Sequence, residues 1–171
     1  MRLHNSKVDT IVSEIVRALV DKELVEIEPA HISEVELDVK SVLREYMRAE
    51  RQLTEEAKDL AHSRGLDYSA HQKIKRQLAD RRRFGLYEDA VGYISNQIIE
   101  TLLHSRNVEE IFGEDNDLRA AVAPVLKAQM STGDQIDREV RRRLKNLEEG
   151  TLDWEIRYKQ TMERLKNARG D

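Results

Sequence analysis

The chain matches itself. Displaced by 83 positions, its apolar residues coincide: Leu3 falls on Leu86, Val8 on Val91, Ile11 on Ile94, Ile15 on Ile98, Val16 on Ile99 and Leu19 on Leu102. The agreement continues with Val20 on Leu103, Val25 on Val108, Val39 on Val122, Val42 on Val125, Leu43 on Leu126, Met47 on Met130, Leu53 on Ile136 and Glu56 on Glu139. After a gap of about three residues, Tyr68 meets Trp154. A match of this extent, almost without gaps, reads as an ancient duplication. It predicts an all-α protein of two tandem modules, residues 1–83 and 84–171, related by a pseudo-twofold axis.

The periodicity places about four helices in each module. The first, from Ser6 to Glu23, carries Val8, Ile11, Val12, Ile15, Val16, Leu19 and Val20 on one stripe, with Asn5 or Ser6 as its cap. Alternation over Leu24–Glu28 suggests a short extended piece, and Pro29 bars helix just before it. A second helix is expected from Ser33 to Arg51. A third is capped by Thr54 and ended by Gly65, and a fourth spans Ser69–Arg82. The second module repeats the plan over Glu88–Ser105, Asn116–Met130, Asp134–Glu148 and a last helix capped by Thr151. Pro124 should bend its helix, and Thr132-Gly133 should separate two others. The broad stripes of Val8–Val20 and Val91–Leu103 are expected to pack on each other at the centre.

Composition narrows the class. Charged residues make up 36% and aromatics 5%, yet the apolar residues are periodic, which separates the chain from a disordered one. The net charge of −4 argues against a generic coat for nucleic acid. The absence of cysteine rules out disulfides, thiolate metal sites and a cysteine nucleophile. Met1–Lys7 has no apolar core of signal-peptide length, and Ala120–Leu126 is too short to span a bilayer. A soluble cytoplasmic protein without a membrane partner is the expectation.

Several motifs resemble one family. Met1-Arg2-Leu3, Leu43-Arg44-Glu45-Tyr46 and Glu55-Glu56-Ala57, with Gly150, Trp154-Glu155-Ile156 and Tyr158 closing the second copy, are similar to the bacterial family catalogued as domain of unknown function 507. The resemblance covers nearly the whole chain, once per module. The first copy departs from it by having Tyr68 where the second has Trp154, and nothing opposite Tyr158. It implies an all-helical bacterial cytoplasmic protein and brings no activity or catalytic residues with it.

The residues themselves offer little chemistry. His4, His31, His62, His71 and His104 include no i, i+4 pair. His62 and His71, around the Gly65 turn with Asp67, suit a polar turn better than a metal site, which needs three placed ligands. The i, i+4 acid pairs Glu34/Asp38 and Glu55/Asp59 read as solvated faces. Phosphate-cradling glycine loops and nucleophile elbows are missing. No enzyme, cofactor, metal or small-molecule substrate is therefore expected.

Charge segregation is the remaining signal. Basic strips run through Lys73, Lys75, Arg76, Arg81, Arg82 and Arg83, and through Arg138, Arg141, Arg142, Arg143 and Lys145. Acidic stretches run from Asp21 to Asp38 and from Glu109 to Asp117. The strips are either solvated faces that pair internally or contacts for phosphate, which arginine binds in bidentate fashion. Trp154 and Tyr158, four apart on the last helix, are either core or an interface anchor. These features point to a non-enzymatic adaptor that binds a protein partner through charged helical faces. The alternative is a nucleic-acid-associated protein that grips backbone phosphate through Lys73–Arg83 and Arg138–Lys145.

Overall fold

A computed structural model describes residues 1–169. The described residues form six α-helices: α1 (Val8–Asp21), α2 (Ile32–Ser63), α3 (His71–Arg82), α4 (Ala90–His104), α5 (Asp115–Arg143) and α6 (Leu152–Arg169). A two-stranded ribbon joins β1 (Val25–Glu26) to β2 (Glu110–Ile111). The order helix, short strand, long helix, shorter helix thus occurs twice. The class is all-α, with three α-helices where four were expected in each half.

The expected breaks inside α2 and α5 do not occur. No glycine or proline interrupts residues 32–63, and Leu53, Ala57 and Ala61 extend the buried stripe. Thr54 caps nothing: its hydroxyl donates to the Glu50 carbonyl one turn back, at 2.9 Å. The Thr132 hydroxyl does the same to Ala128 at 3.0 Å. Gly133 stays helical because the N-terminal segment lies against it, and a Cβ there would come within 2.8 Å of the His4 ring. Pro124 also sits inside α5. Asn5 and Ser6 form a 3₁₀ turn ahead of α1 instead of capping it with a side chain.

α1 packs on α2 and α5, and so does α4. These four helices close a ring in which α1 and α4 lie across from each other, which corrects the expected pairing of the two stripes. The reason is length. At about 1.5 Å per residue, the 14 residues of α1 span roughly 21 Å and the 32 of α2 roughly 48 Å. Each short helix therefore beds between two long ones, burying apolar faces on both sides. The resulting core takes Leu3, Ile11, Ile15, Leu19, Val39 and Leu43 from one half and Ile94, Ile98, Leu102, Leu118, Leu126 and Met130 from the other.

The long helices outrun the bundle and make two hairpin lobes. In the first, α3 folds back on α2 around Leu53, Ala57, Ala61, Ile74 and Leu78. In the second, α6 folds back on α5 around Ile136, Val140, Leu144, Met162 and Leu165. The segment leading into each half completes the other half's lobe. Leu86 joins the first lobe's cluster, and the Tyr46 hydroxyl donates to the Gly85 carbonyl at 2.9 Å. In the second lobe, His4 meets Asp134 at 2.7 Å, and the Lys166 amine donates to the Ser6 carbonyl at 2.7 Å.

The ribbon closes the opposite end. Val25 faces Ile111 and Glu26 faces Glu110 in antiparallel register. The amides of Glu109 and Phe112 donate to the carbonyls of Glu26 and Leu24, each at 2.9 Å. No helix among the described residues is long and apolar enough to cross a membrane.

Candidate functional site

The lobes carry the basic strips, and packing sorts each strip residue by residue. On α3, residues 74, 75, 78 and 79 face α2, while Lys73, Arg76, Arg81 and Arg82 face solvent. Lys75 belongs to the interior. Its amine lies 2.9 Å from the Glu50 carboxylate, with both residues more than nine-tenths buried and Arg2 at 3.7 Å from the same oxygen. The Arg76 guanidinium sits 5.0 Å from the centre of the Tyr87 ring. The Tyr87 hydroxyl donates to Gln72 at 3.1 Å. Arg82 binds both oxygens of Glu56, at 2.7 and 2.8 Å. Arg83 ends the helix at φ 53°, a left-handed position more usual for glycine. Lys73, Arg81 and Arg83 are exposed and make no ion pair among the described residues.

The second strip is more thoroughly neutralised. Arg141 bonds Asp137 at 2.9 Å and also Glu149. Arg142 and Arg143 share Glu139 at 2.7 and 3.0 Å. Arg138 donates to the Asp134 carbonyl at 3.3 Å, and Lys145 is exposed. The acids that serve both strips come from their own lobes, not from 21–38 or 109–117. Asp137/Arg141 and Glu139/Arg143 were legible as i, i+4 pairs. Glu50 and Glu56 meet partners 25 and 26 residues away, across a hairpin that local spacing cannot announce.

Trp154 and Tyr158 are half-buried, stacked at 4.9 Å with 24° between their planes. Arg141 lies 5.4 Å from the Trp154 ring centre and 5.9 Å from that of Tyr158. Thr151 caps this helix, accepting from the Trp154 amide at 3.3 Å. The Tyr158 hydroxyl donates to Asp137. Burial works against ionising Asp137, but the bonds from Tyr158 and Arg141 hold its carboxyl below the usual range. Burial first, and then the bond to Asp137, push the Tyr158 phenol up. Arg142 and Arg143 lower Glu139. Beside this cluster, a cleft of about 550 Å³ separates His4 and Ser6 from Trp154, Tyr158 and Met162.

His62 and His71 do not come together as ligands. The His71 ring is held by the Tyr68 carbonyl at 2.5 Å and Gln72 at 3.0 Å, with the Tyr68 ring 4.6 Å away. Among the described residues, no group of three or more His, Asp or Glu is placed to hold a metal ion.

Fold and surface together define an all-helical bundle protein with two lobes, each faced by arginine and aromatic side chains. Residues 1–170 match the model of the family described as protein of unknown function (DUF507), and the chain belongs to that family. No curated protein matches it.

Proposed function

We propose that the chain is a non-enzymatic cytoplasmic interaction protein whose halves, 1–83 and 84–171, are tandem copies presenting two lobes to a protein partner. One observation carries this reading: each lobe lays an arginine over an aromatic ring at its surface, Arg76 on Tyr87 and Arg141 on Trp154 and Tyr158. Arginine, tryptophan and tyrosine are the usual anchors of protein interfaces. The Arg141 guanidinium, already stacked and hydrogen-bonded, loses little freedom when a partner covers it. Affinity capture from extracts of the cells that make the protein tests this. A partner held by the wild type should be lost from both Arg76→Ala and Trp154→Ala. Capture that survives both changes refutes the lobes as the contact.

A second reading rests on Lys73, Arg81 and Arg83, which are exposed and make no ion pair among the described residues. In this reading each contacts backbone phosphate. Fluorescence polarisation with mixed-sequence RNA and duplex DNA should then show binding that falls steeply with salt. No binding at low salt removes this reading.

A further inference from the structure

We propose that the ribbon end of the bundle docks a Lys/Arg-rich segment of a protein partner, with one apolar side chain of that segment seated between Val20, Ile27 and Phe112. The proposal concerns the end opposite the lobes and does not depend on them. A cleft of about 500 Å³ lies here, lined by Val20, Glu23, Val25, Glu26, Ile27 and Phe112. Its apolar side chains are displayed: Phe112 is 59% exposed and Val20 37%. A cleft that sets exposed apolar side chains beside carboxylates fits a ligand with an apolar anchor flanked by positive charge.

The ribbon itself supplies the charge argument. β1 and β2 bring together the two acidic stretches, pairing Glu26 with Glu110 across 84 positions of sequence. Glu26 and Glu110 stand directly opposite each other, and like charges so placed weaken a strand pair. Glu23, Glu26, Glu109 and Glu110 have no Lys or Arg partner among the described residues, whereas Arg82, Arg141, Arg142 and Arg143 in the lobes each have a carboxylate. A cationic segment laid along the ribbon would supply the missing counter-charge, and the same field repels nucleic acid from this end.

The test uses two fluorescein-labelled peptides of equal positive charge, one carrying leucines and one with each leucine replaced by serine. The leucine peptide should bind the full-length protein at least tenfold more tightly than the serine peptide. Phe112→Ser should erase that difference. Glu110→Lys places opposite charges across the ribbon and so preserves the fold, yet it should weaken both peptides at least threefold. Trp154→Ala, in the second lobe, should leave both affinities unchanged, which separates this proposal from the role given to the lobes. Equal binding of the two peptides by the wild type overturns the proposal, as does a leucine preference that survives Phe112→Ser. Self-association in sedimentation that Phe112→Ser abolishes would also overturn it, by assigning the cleft to a second copy of the chain.

Discussion

Replacing Lys75 by methionine and Glu50 by leucine, singly and together, tests whether the first lobe is closed around a buried charge pair. At 2.9 Å and an effective dielectric constant of about 20, the attraction amounts to about 6 kcal/mol. Removing each ion from water costs several kcal/mol, so the pair as a whole comes out near zero. Neither ion can lose its partner at that level. Lys75→Met leaves Glu50 facing only Arg2, at 3.7 Å and with its side chain 59% exposed, so the loss should be about 3 kcal/mol. Glu50→Leu strands the Lys75 amine 5.8 Å from the Tyr87 ring centre, too weak a replacement, and should cost about 3–4 kcal/mol. The double variant removes both charges and should lie within about 1 kcal/mol of wild type. Urea unfolding followed by far-ultraviolet circular dichroism measures all four proteins. Trp154 fluorescence, recorded in parallel, tells whether the second lobe unfolds in the same transition. Single losses below about 1 kcal/mol would mean that water reaches the pair and the lobe is open. A double loss equal to the sum of the singles would mean that the two groups do not interact.

Two glycines a few residues apart should respond in opposite directions. A Cβ on Gly85 would lie 2.5 Å from the Tyr93 Cβ and 2.7 Å from the Asp89 carbonyl oxygen. Gly85→Ala must therefore shift backbone that accepts the Tyr46 hydroxyl, and it should cost about 2–3 kcal/mol in urea unfolding. Gly92, inside α4, has nothing within 4 Å, and Gly92→Ala should gain up to about 1 kcal/mol in the same measurement. The second lobe should be acid-sensitive. Because Asp137 is held below its ordinary value of 3.8 in the folded protein, the unfolded chain takes up the proton first. That contribution is complete above about pH 4 and is lost as pH falls through the folded value. Asp137→Asn should flatten the fall in stability below pH 4, read by Trp154 fluorescence, and an unchanged acid limb would refute the assignment.

The parts of the fold written in short-range spacing were readable, and those written across hairpins were not. The stripes of α1 and α4 appear as three- and four-residue steps, so both helices were placed within two residues of their ends. Thr54 and Thr132 misled because a hydroxyl that caps a helix and one that bonds back to the preceding turn look the same in sequence. Gly133 misled because its reason, the His4 ring, lies 129 residues away. The self-match sets Val25 on Val108, whereas the ribbon pairs Val25 with Ile111: likeness in sequence and contact in space are different relations. The basic strips were visible as composition. Which of their members are buried or neutralised depends on Glu50 and Glu56, brought in by the hairpin.

The exchange of leading segments makes each half of the chain depend on the other. Residues 1–83 lack Leu86 and the Gly85 carbonyl, which complete their own lobe, while carrying His4 and Ser6, which bond to the other. They also lack α4 and α5, against which the apolar faces of α1 and α2 are buried. A monomer of 1–83 would therefore expose Ile11, Ile15, Leu19, Val39 and Leu43, all of them 0% exposed in the whole chain. At roughly 2 kcal/mol for each such side chain, exposing these five costs about 10 kcal/mol, comparable to the ~5–15 kcal/mol by which a domain is ordinarily stable. The fragments 1–83 and 84–171, produced separately, should be poorly helical as monomers. Mixed in equal amounts, they should recover helicity as a 1:1 complex on size exclusion. If the match between halves is close enough, 1–83 should escape only by pairing with itself, its own α1 and α2 standing in for α4 and α5. A stable helical monomer of 1–83 would show that the shared core is not what holds either half together.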